Sequence, residues 1–471
     1  MKQIQRELAK VTGEKLISDS PDIFKEAVQS LKRDVLLRSS RRFGTPQYFL
    51  DTGVLQQRAA FFAATMRRYI PRSDFFYAFK CNDLPLLAHT LKGQGYYADV
   101  AGIFELQLAL KLGFKRIVFS GPGKSRDELI CALKQKKRVV VNIDNFDELR
   151  LLISLAGAKK TGHKAGVGFR LCSETSAQGA WWKFGFKLEE LSEAVRLLSQ
   201  SENLQWTGLH FHCSWNKTPN KYLKNIHRIG TSLRQNFPAQ ELRRLRFFDI
   251  GGGFFPEGQA ILHKGEDKGI LLDMLGARRG NKEELYQALN FDPCAFSITP
   301  VQPLETFARE ISGALNEFIF PLNPHISIYF EPGRFIATHA TTILLGVVAV
   351  KKNAVIVDGG INMLGDYKFS ECSFAPVVNI SHPSMQLRRQ MIFGSLCDPS
   401  DLWGYSYYGD ELKKGDVLAV LQQGAYTFTT AWRFIKPVPA YIAASGKRLI
   451  VAKSAERFQD RYAGCRFERN K

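Results

Sequence analysis

The sequence predicts an α/β protein: a β/α (TIM-like) barrel followed by a C-terminal β-rich domain. Three observations carry this. Short apolar runs alternate with amphipathic stretches from residue 46 to about 335. Polar or glycine residues punctuate the same end of most of those runs. Beyond 335, strand-like segments follow one another with few long helical stretches between them. A chain of 471 residues exceeds one compact core, so two domains are expected, divided near residue 335.

Taken in order, "QYFLD" (47–51) reads as a strand and "QQRAAFFAATMRRY" (56–69) as a helix. "DFFYAFK" (74–80) and "LPLLAHTLKGQG" (84–95) repeat the pair, as do "YADVAG" (97–102) and "FELQLALKLGF" (104–114). The runs "RIVFSG", "RVVVNID", "AGVGFRL", "TGLHFHC", "RFFDIGGGF" and "ISIYFEPGR" continue the series, to about nine strands against the eight of a closed barrel. Lys80, Asp99, Gly121, Arg170, His212, Gly251–Gly253 and Glu331 fall at the C-terminal ends of these runs. In a barrel those ends form one rim, where active sites are built. The segment 257–300 is long and irregular and reads as an insertion or a lid. After 335, "TTILLGVVAVKK", "NAVIVDGG", "DVLAVLQQGAYTFTT" and "KRLIVAK" are the strands of the second domain.

Composition narrows the function. The longest apolar run, near 341–350, is too short to span a bilayer, and the opening "MKQIQRELAK" has no apolar signal core, so a cytoplasmic protein without membrane contact is expected. Eight cysteines stand singly with no C-x-x-C pair, which argues against a disulfide framework and a zinc site. The net charge of +20 invites a nucleic-acid reading, but the excess is spread out and no nucleic-acid-binding motif accompanies it. A basic solvated surface explains it better, with attraction to an anionic substrate or an acidic partner protein as the other option.

Several short motifs carry chemistry. Lys80 ends an aromatic strand (Phe75, Phe76, Tyr77, Phe79); it either snorkels to solvent or sits in an apolar pocket as a nucleophilic amine. Gly251, Gly252 and Gly253 follow a strand and form either a tight turn or an anion cradle. His210 and His212 share one face of a strand, as a metal pair lacking a third ligand, as stacking rings, or as core histidines. "FEPGR" (330–334) offers Glu331 to hold a ring nitrogen protonated and Arg334 to grip phosphate, or a structural ion pair. "GSLCDPSD" (394–401) sets the Cys397 thiol beside the Asp398 carboxylate, and "QQGAYTF" (422–428) offers Tyr426 to a phosphate. A Schiff-base lysine, a phosphate cradle, a stacking ring and an acid for a pyridine nitrogen together describe a site for pyridoxal 5'-phosphate (PLP), with no metal.

With these motifs in order, the chain resembles the fold-type III PLP-dependent decarboxylases that act on ornithine, diaminopimelate or arginine. The resemblance runs from about residue 45 to 435 through "YAFKCN", "ADVAGIFELQLALKLG", "KFGF", "GLHFHC", "DIGGGF", "FEPGR", "VDGG", "LCDPSD" and "GDVLAVLQQGAYTF". It implies an alanine-racemase-like barrel over 46–335, with residues 1–45 joining 336–471 in the β-rich domain. It implies a head-to-tail homodimer whose cysteine turn and tyrosine segment complete the neighbour's site. Carried over by position, Lys80 is the Schiff-base lysine and His212 the ring stacked on the pyridine. Gly251–Gly253, Gly333, Arg334 and Tyr426 form the phosphate site, and Glu331 is the acid at the pyridine nitrogen. Asp99 and Arg170, with Glu105, line the pocket. Cys397 returns a proton after carbon dioxide leaves, and Asp358 and Asp398 read the distal end of the substrate.

The chain departs from the family in three places. Where a Gly-Ser pair usually follows the stacking histidine, Ser214 and Trp215 stand, so Ser214 takes the serine's role or that contact is lost. The "CDP" turn, with Asp366 and Lys368 where an arginine would read a distal carboxylate, suits an ornithine- or lysine-like substrate better than diaminopimelate. A siderophore precursor or a carrier-protein-tethered amino acid is the alternative that the positive charge suggests. A non-catalytic regulator would show decay at the lysine or the cysteine turn, and both are intact.

Overall fold

The protein is described from a computed structural model, covering residues 31–157, 164–173, 183–257, 260–261, 297–298, 301–365 and 375–467. The chain divides into two compact units: Leu55–Glu257 with Val301–Ile336, and Met1–Val54 with Gly258–Pro300 and Ala337–Lys471. Nearly all of the 257–300 segment lies outside the described residues, as do Asp366 and Lys368. No helix among the described residues is long and apolar enough to cross a membrane.

The first unit is a closed eight-stranded barrel. Its strands are β2 (Ser73–Ala78), β3 (Tyr97–Val100), β4 (Ile117–Phe119), β5 (Val139–Ile143), β6 (Ala165–Leu171), β7 (Leu204–Phe211), β8 (Phe247–Asp249) and β9 (Ser327–Phe330). All eight pairings are parallel, with β9 closing onto β2. Helices intervene where the amphipathic stretches predict them: α2 (Thr52–Tyr69), α3 (Pro85–Gly93), α4 (Ile103–Lys111), α5 (Arg126–Lys134), α6 (Phe146–Gly157), α7 (Leu191–Ser199), α8 (Asn220–Asn236) and α9 (Leu304–Phe318). The start of α5 shows why a loop stops where it does. Ser125 Oγ accepts from Glu128 N, and Glu128 Oε2 accepts from Ser125 N, a reciprocal capping box.

Side chains two apart share a face of a strand, and this decides what the barrel encloses. Phe76, Val118, Phe247 and Tyr329 cluster inside it with Tyr97 and Val140. Two residues on from these lie Ala78, Ser120, Asp249, Glu331, Asp99 and Asn142. The interior is therefore aromatic towards one end and polar towards the C-terminal rim. The Phe247 ring needs room that only glycine leaves: a Cβ on Gly208 would sit 2.6 Å from it, and one on Gly168 3.0 Å. Near the opposite end, the Arg116 guanidinium lies 4.4 Å from the Tyr97 ring centre and 5.0 Å from that of Tyr329, and pairs with Asp74 at 2.9 Å.

The second unit holds a nine-stranded sheet among the described residues. Its strands are β1 (Gln47–Asp51), β10 (Thr341–Val350), β11 (Ala354–Val357), β12 (Val377–Asn379), β13 (Leu387–Phe393), β14 (Leu402–Tyr408), β15 (Val417–Val420), β16 (Ala440–Ser445) and β17 (Arg448–Lys453). The pairings run β10–β11–β13–β14–β12–β15 and return to β10, and a branch β1–β16–β17 leaves from β10. Helix α1 (Arg33–Phe43) buries Leu36 and Leu37 in the core this sheet forms with Phe49, Leu344, Leu402 and Ile442. Arg33 fastens it by donating to Ile380 O at 2.7 Å and Ser381 O at 2.9 Å.

The strand at 47–51 corrects the sequence reading. Alternation enrols it in the barrel series, but β1 pairs with β10 and β16 in the sheet, and the division between units falls after Val54 instead of after residue 45. Its first four residues are all buried, so a period-2 pattern that could reveal its partners is missing.

The packing of Phe247 yields a prediction. Gly208→Ala should destabilise the barrel by about 1–3 kcal/mol, because the added methyl has no flexible neighbour to displace. Thermal denaturation followed by circular dichroism would show a lowered midpoint; an unchanged one would mean that the ring can swing aside.

Candidate active site

The polar rim of the barrel gathers most of the singled-out residues. Lys80 stands in a short turn directly after β2, and its Nζ lies 2.9 Å from Oδ2 of Asp99, the β3 residue paired with Ala78. The lysine side chain is 34% exposed, against 1% for Asp99. The amine is therefore accessible while the carboxyl it touches is buried, so simple escape to solvent does not describe it.

Glu331, just past β9, has a fully buried carboxylate. Its Oε1 lies 3.6 Å from His210 Nε2, and its Oε2 lies 3.7 Å from His212 Nδ1. Ser120 Oγ reaches Oε1 at 3.4 Å. Burial by itself would push this carboxyl up; the His210 and His212 rings and the Lys80 charge outweigh it and hold Glu331 well below the usual carboxylate range. The neighbouring acids go the other way. Burial, and then the charge on Glu331, raise both Asp99 and Asp249. Like groups crowded in a dry space oppose one another's ionisation in this way.

His212 is pushed down to about 4, first by burial, so its ring is neutral at physiological pH. Gly252 N donates to its Nδ1 at 3.2 Å, which places the ring proton on Nε2, facing Ser214 Oγ at 3.2 Å. Ser214 thus contacts the histidine. His210, His212 and Glu331 bring three ligand-type atoms within 4.8 Å of one another, so the third group missing from the histidine pair in sequence is Glu331, more than a hundred residues away.

Three glycines close the rim. Gly251 and Gly253 adopt φ values of +70° and +89°. A Cβ at Gly252 would stand 2.2 Å from Glu331 O, and one at Gly253 1.8 Å from Cys213 O. The loop is therefore pressed against the ends of β7 and β9, and it is secured by Gly251 N donating to Asp249 Oδ1 and Tyr222 Oη to Gly252 O. Gly333 has Cys81 Cβ where its own would be, at 2.8 Å. Arg334 lies 5.8 Å from the Phe255 ring centre. Arg170 pairs in register with His210 and donates to Ser120 O at 2.9 Å. Glu105 accepts from Ala101 N at 2.6 Å, and burial pushes it up to about 7.

Four singled-out residues belong to the sheet unit. Cys397 is exposed, and Asp398 holds Ser400 N and Oγ through one oxygen, Oδ1. Asp358 is engaged at both oxygens, by Thr45 Oγ1 at 2.6 Å and Gly346 N at 2.9 Å. Tyr426 sits at φ +55°. Sequence reasoning passed over Asp249 and Ser120, and assigned His210 no role; the signal for them was the two-residue step along each strand.

Residues 58–268 match the family described as "Pyridoxal-dependent decarboxylase, pyridoxal binding domain". The diaminopimelate decarboxylase of Aquifex aeolicus is 24% identical, over 89% of this chain and 91% of its own. Diaminopimelate decarboxylase from Helicobacter pylori, solved with L-lysine, is 24% identical with a TM-score of 0.69 over 93% of this chain and 98% of its own. Lysine/ornithine decarboxylase from Vibrio vulnificus, solved with cadaverine, is 23% identical with a TM-score of 0.66 over 88% of this chain and 98% of its own.

The neutral state of His212 is testable. With its folded value near 4 and an ordinary value of 6.5, it contributes stability that is complete above about pH 6.5 and is lost as pH falls towards 4. The melting temperature of the ligand-free protein should therefore fall relative to that of His212→Asn between pH 7 and pH 5. Parallel curves would show that the ring takes up its proton as readily when folded.

Proposed function

We propose a substrate for a chain that belongs to the fold-type III PLP-dependent amino-acid decarboxylases: a diamino acid of the diaminopimelate–lysine type, which loses its α-carboxylate as carbon dioxide. The observation that carries the reaction is the accessible Lys80 amine, 2.9 Å from Asp99, at the rim that also buries the ionised Glu331.

The residues present fit PLP. Glu331 Oε2 is buried and receives no hydrogen bond from the protein, and a pyridine N–H supplies what it needs. The glycine loop leaves backbone where side chains would otherwise fill the space, as a phosphate requires. When bound, the cofactor supplies an electron-accepting ring for the pair released as carbon dioxide departs.

The rest falls to the protein. Lys80 would hold the cofactor through Nζ. Asp99, buried beside it, offers an acceptor for a proton on that nitrogen. Glu331 would hold a proton at the ring nitrogen. His212 would lie against the ring as a neutral imidazole, so the charge of Glu331 would stay available to that nitrogen. Gly251–Gly253, Gly333, Arg334, Ser214 and Tyr426 would take the phosphate, and Arg170 would border the ring. Cys397 returns a proton to the α-carbon through Sγ, and Asp398 reads the distal amine. A head-to-tail homodimer in which the cysteine turn and Tyr426 serve the neighbour goes with these roles, and the family likeness supports it.

The names of the relatives support diaminopimelate as the first substrate. The second reading, lysine or ornithine, is supported by the carboxylate of Asp398 next to Cys397, which suits a distal amine better than a distal carboxylate.

Purified protein should be yellow with PLP, and borohydride should bleach it by trapping the cofactor on Lys80. Lys80→Ala should take no such label; a labelled variant would move the role to another amine. Carbon dioxide release from meso-diaminopimelate, L-lysine, L-ornithine and L-arginine should be fastest with diaminopimelate. Release from none of them would end the substrate reading.

A further inference from the structure

We propose that Asp401 is the positioning residue for the Cys397 thiol, acting as a clamp between two loops of the sheet unit. The inference rests on the proton-returning role given to Cys397.

Asp401 is 1% exposed. Its two oxygens are divided between two loops. Oδ2 accepts from Leu396 N at 2.7 Å, immediately before the cysteine. Oδ1 accepts from Ile361 N at 2.8 Å, in the loop that follows β11. Carboxylate-to-amide bonds of this kind are stronger than neutral ones and fix direction as well as distance. The backbone of Asp401 closes the cysteine turn around the carboxylate. Gly394 N donates to Asp401 O at 2.8 Å, and Asp401 N donates to Asp398 O at 3.1 Å.

Two further bonds join the same loops: Ser395 Oγ to Asp358 O at 2.8 Å, and Trp403 Nε1 to Gly359 O at 2.9 Å. Steric fit makes the arrangement specific. A Cβ on Gly394 would lie 2.3 Å from both oxygens of Asp401, and one on Gly360 2.3 Å from Leu396 Cγ. Leu396 is thus held by its N–H on one side and its side chain on the other. The exposed thiol departs from an anchored residue, although its turn lies at the surface. Precise placement of a proton donor is worth a large factor in rate, since an error of about 1 Å can cost roughly 10²-fold.

The test is a double-mutant cycle on the PLP-loaded enzyme. Asp401→Asn keeps the shape but turns an amide against one of the two N–H groups. It should lower kcat about tenfold while leaving PLP affinity and the absorbance of the bound cofactor unchanged. In a Cys397→Ala background it should cost nothing further. A loss that multiplies with that of Cys397→Ala would overturn the proposal, as would a wild-type kcat for Asp401→Asn. Alkylation of Cys397 by iodoacetamide, read on its peptide by mass spectrometry, should change severalfold in Asp401→Asn, and an unchanged rate also overturns the clamp. If Cys397→Ala keeps wild-type kcat, the proton-return role fails, and the alkylation rate alone judges the clamp. Should Asp401→Asn not fold, Gly360→Ala presses on Leu396 from the other loop and is expected to reproduce the kcat loss, again absent without the cysteine.

Discussion

An ionised carboxylate with no exposed side-chain surface is the constraint on which the barrel interior depends. Desolvating such a charge costs several kcal/mol unless nearby groups compensate. Around Glu331 that compensation comes from His210 and His212 at the end of β7 and from Lys80 just after β2, both far from it in sequence. Its charge in turn drives Asp99 and Asp249 towards their neutral forms. Moving any one of these groups would redistribute charge among all of them. The site is better regarded as a single electrostatic unit than as a set of independent contacts.

Much of this was legible in the sequence because a parallel barrel converts strand order into position. Once a strand ends in Lys80 and another in Glu331, closure brings both to one rim. The glycine run announced itself by its composition, and the structure explains it residue by residue through the carbonyls that replace each missing Cβ. What was not legible depended on pairing. The buried 47–51 strand looks the same in a barrel or in an antiparallel sheet, and only its partners decide. Sequence spacing cannot show that Thr45 and Gly346 bond both oxygens of Asp358. His210 looked idle because its partner lies past β9.

The two units solve the problem of buried polarity differently. In the barrel, polar atoms accumulate at one rim, and several have no hydrogen-bond partner among the described residues, Glu331 Oε2 and both His210 nitrogens among them. Such atoms suit a place built to receive a ligand. In the sheet unit, Asp401 is just as buried but both its oxygens are satisfied by backbone amides. Buried acids in this protein therefore differ in whether backbone amides or neighbouring side chains offset their burial.

The branch of the sheet ending at β17 has a consequence for how copies of the protein behave in solution. Strands β10 to β15 close on themselves and leave no edge, whereas β17 pairs with β16 alone among the described strands. It exposes Ile450 and Val451, the kind of surface on which a foreign strand could nucleate an aggregate. Arg448 and Lys453 terminate it, and Lys447 precedes it. A second copy approaching this edge would bring the same cations with it, in a chain already carrying +20. The positive charge thus gives this edge of the sheet colloidal protection, independent of any role in attracting ligands.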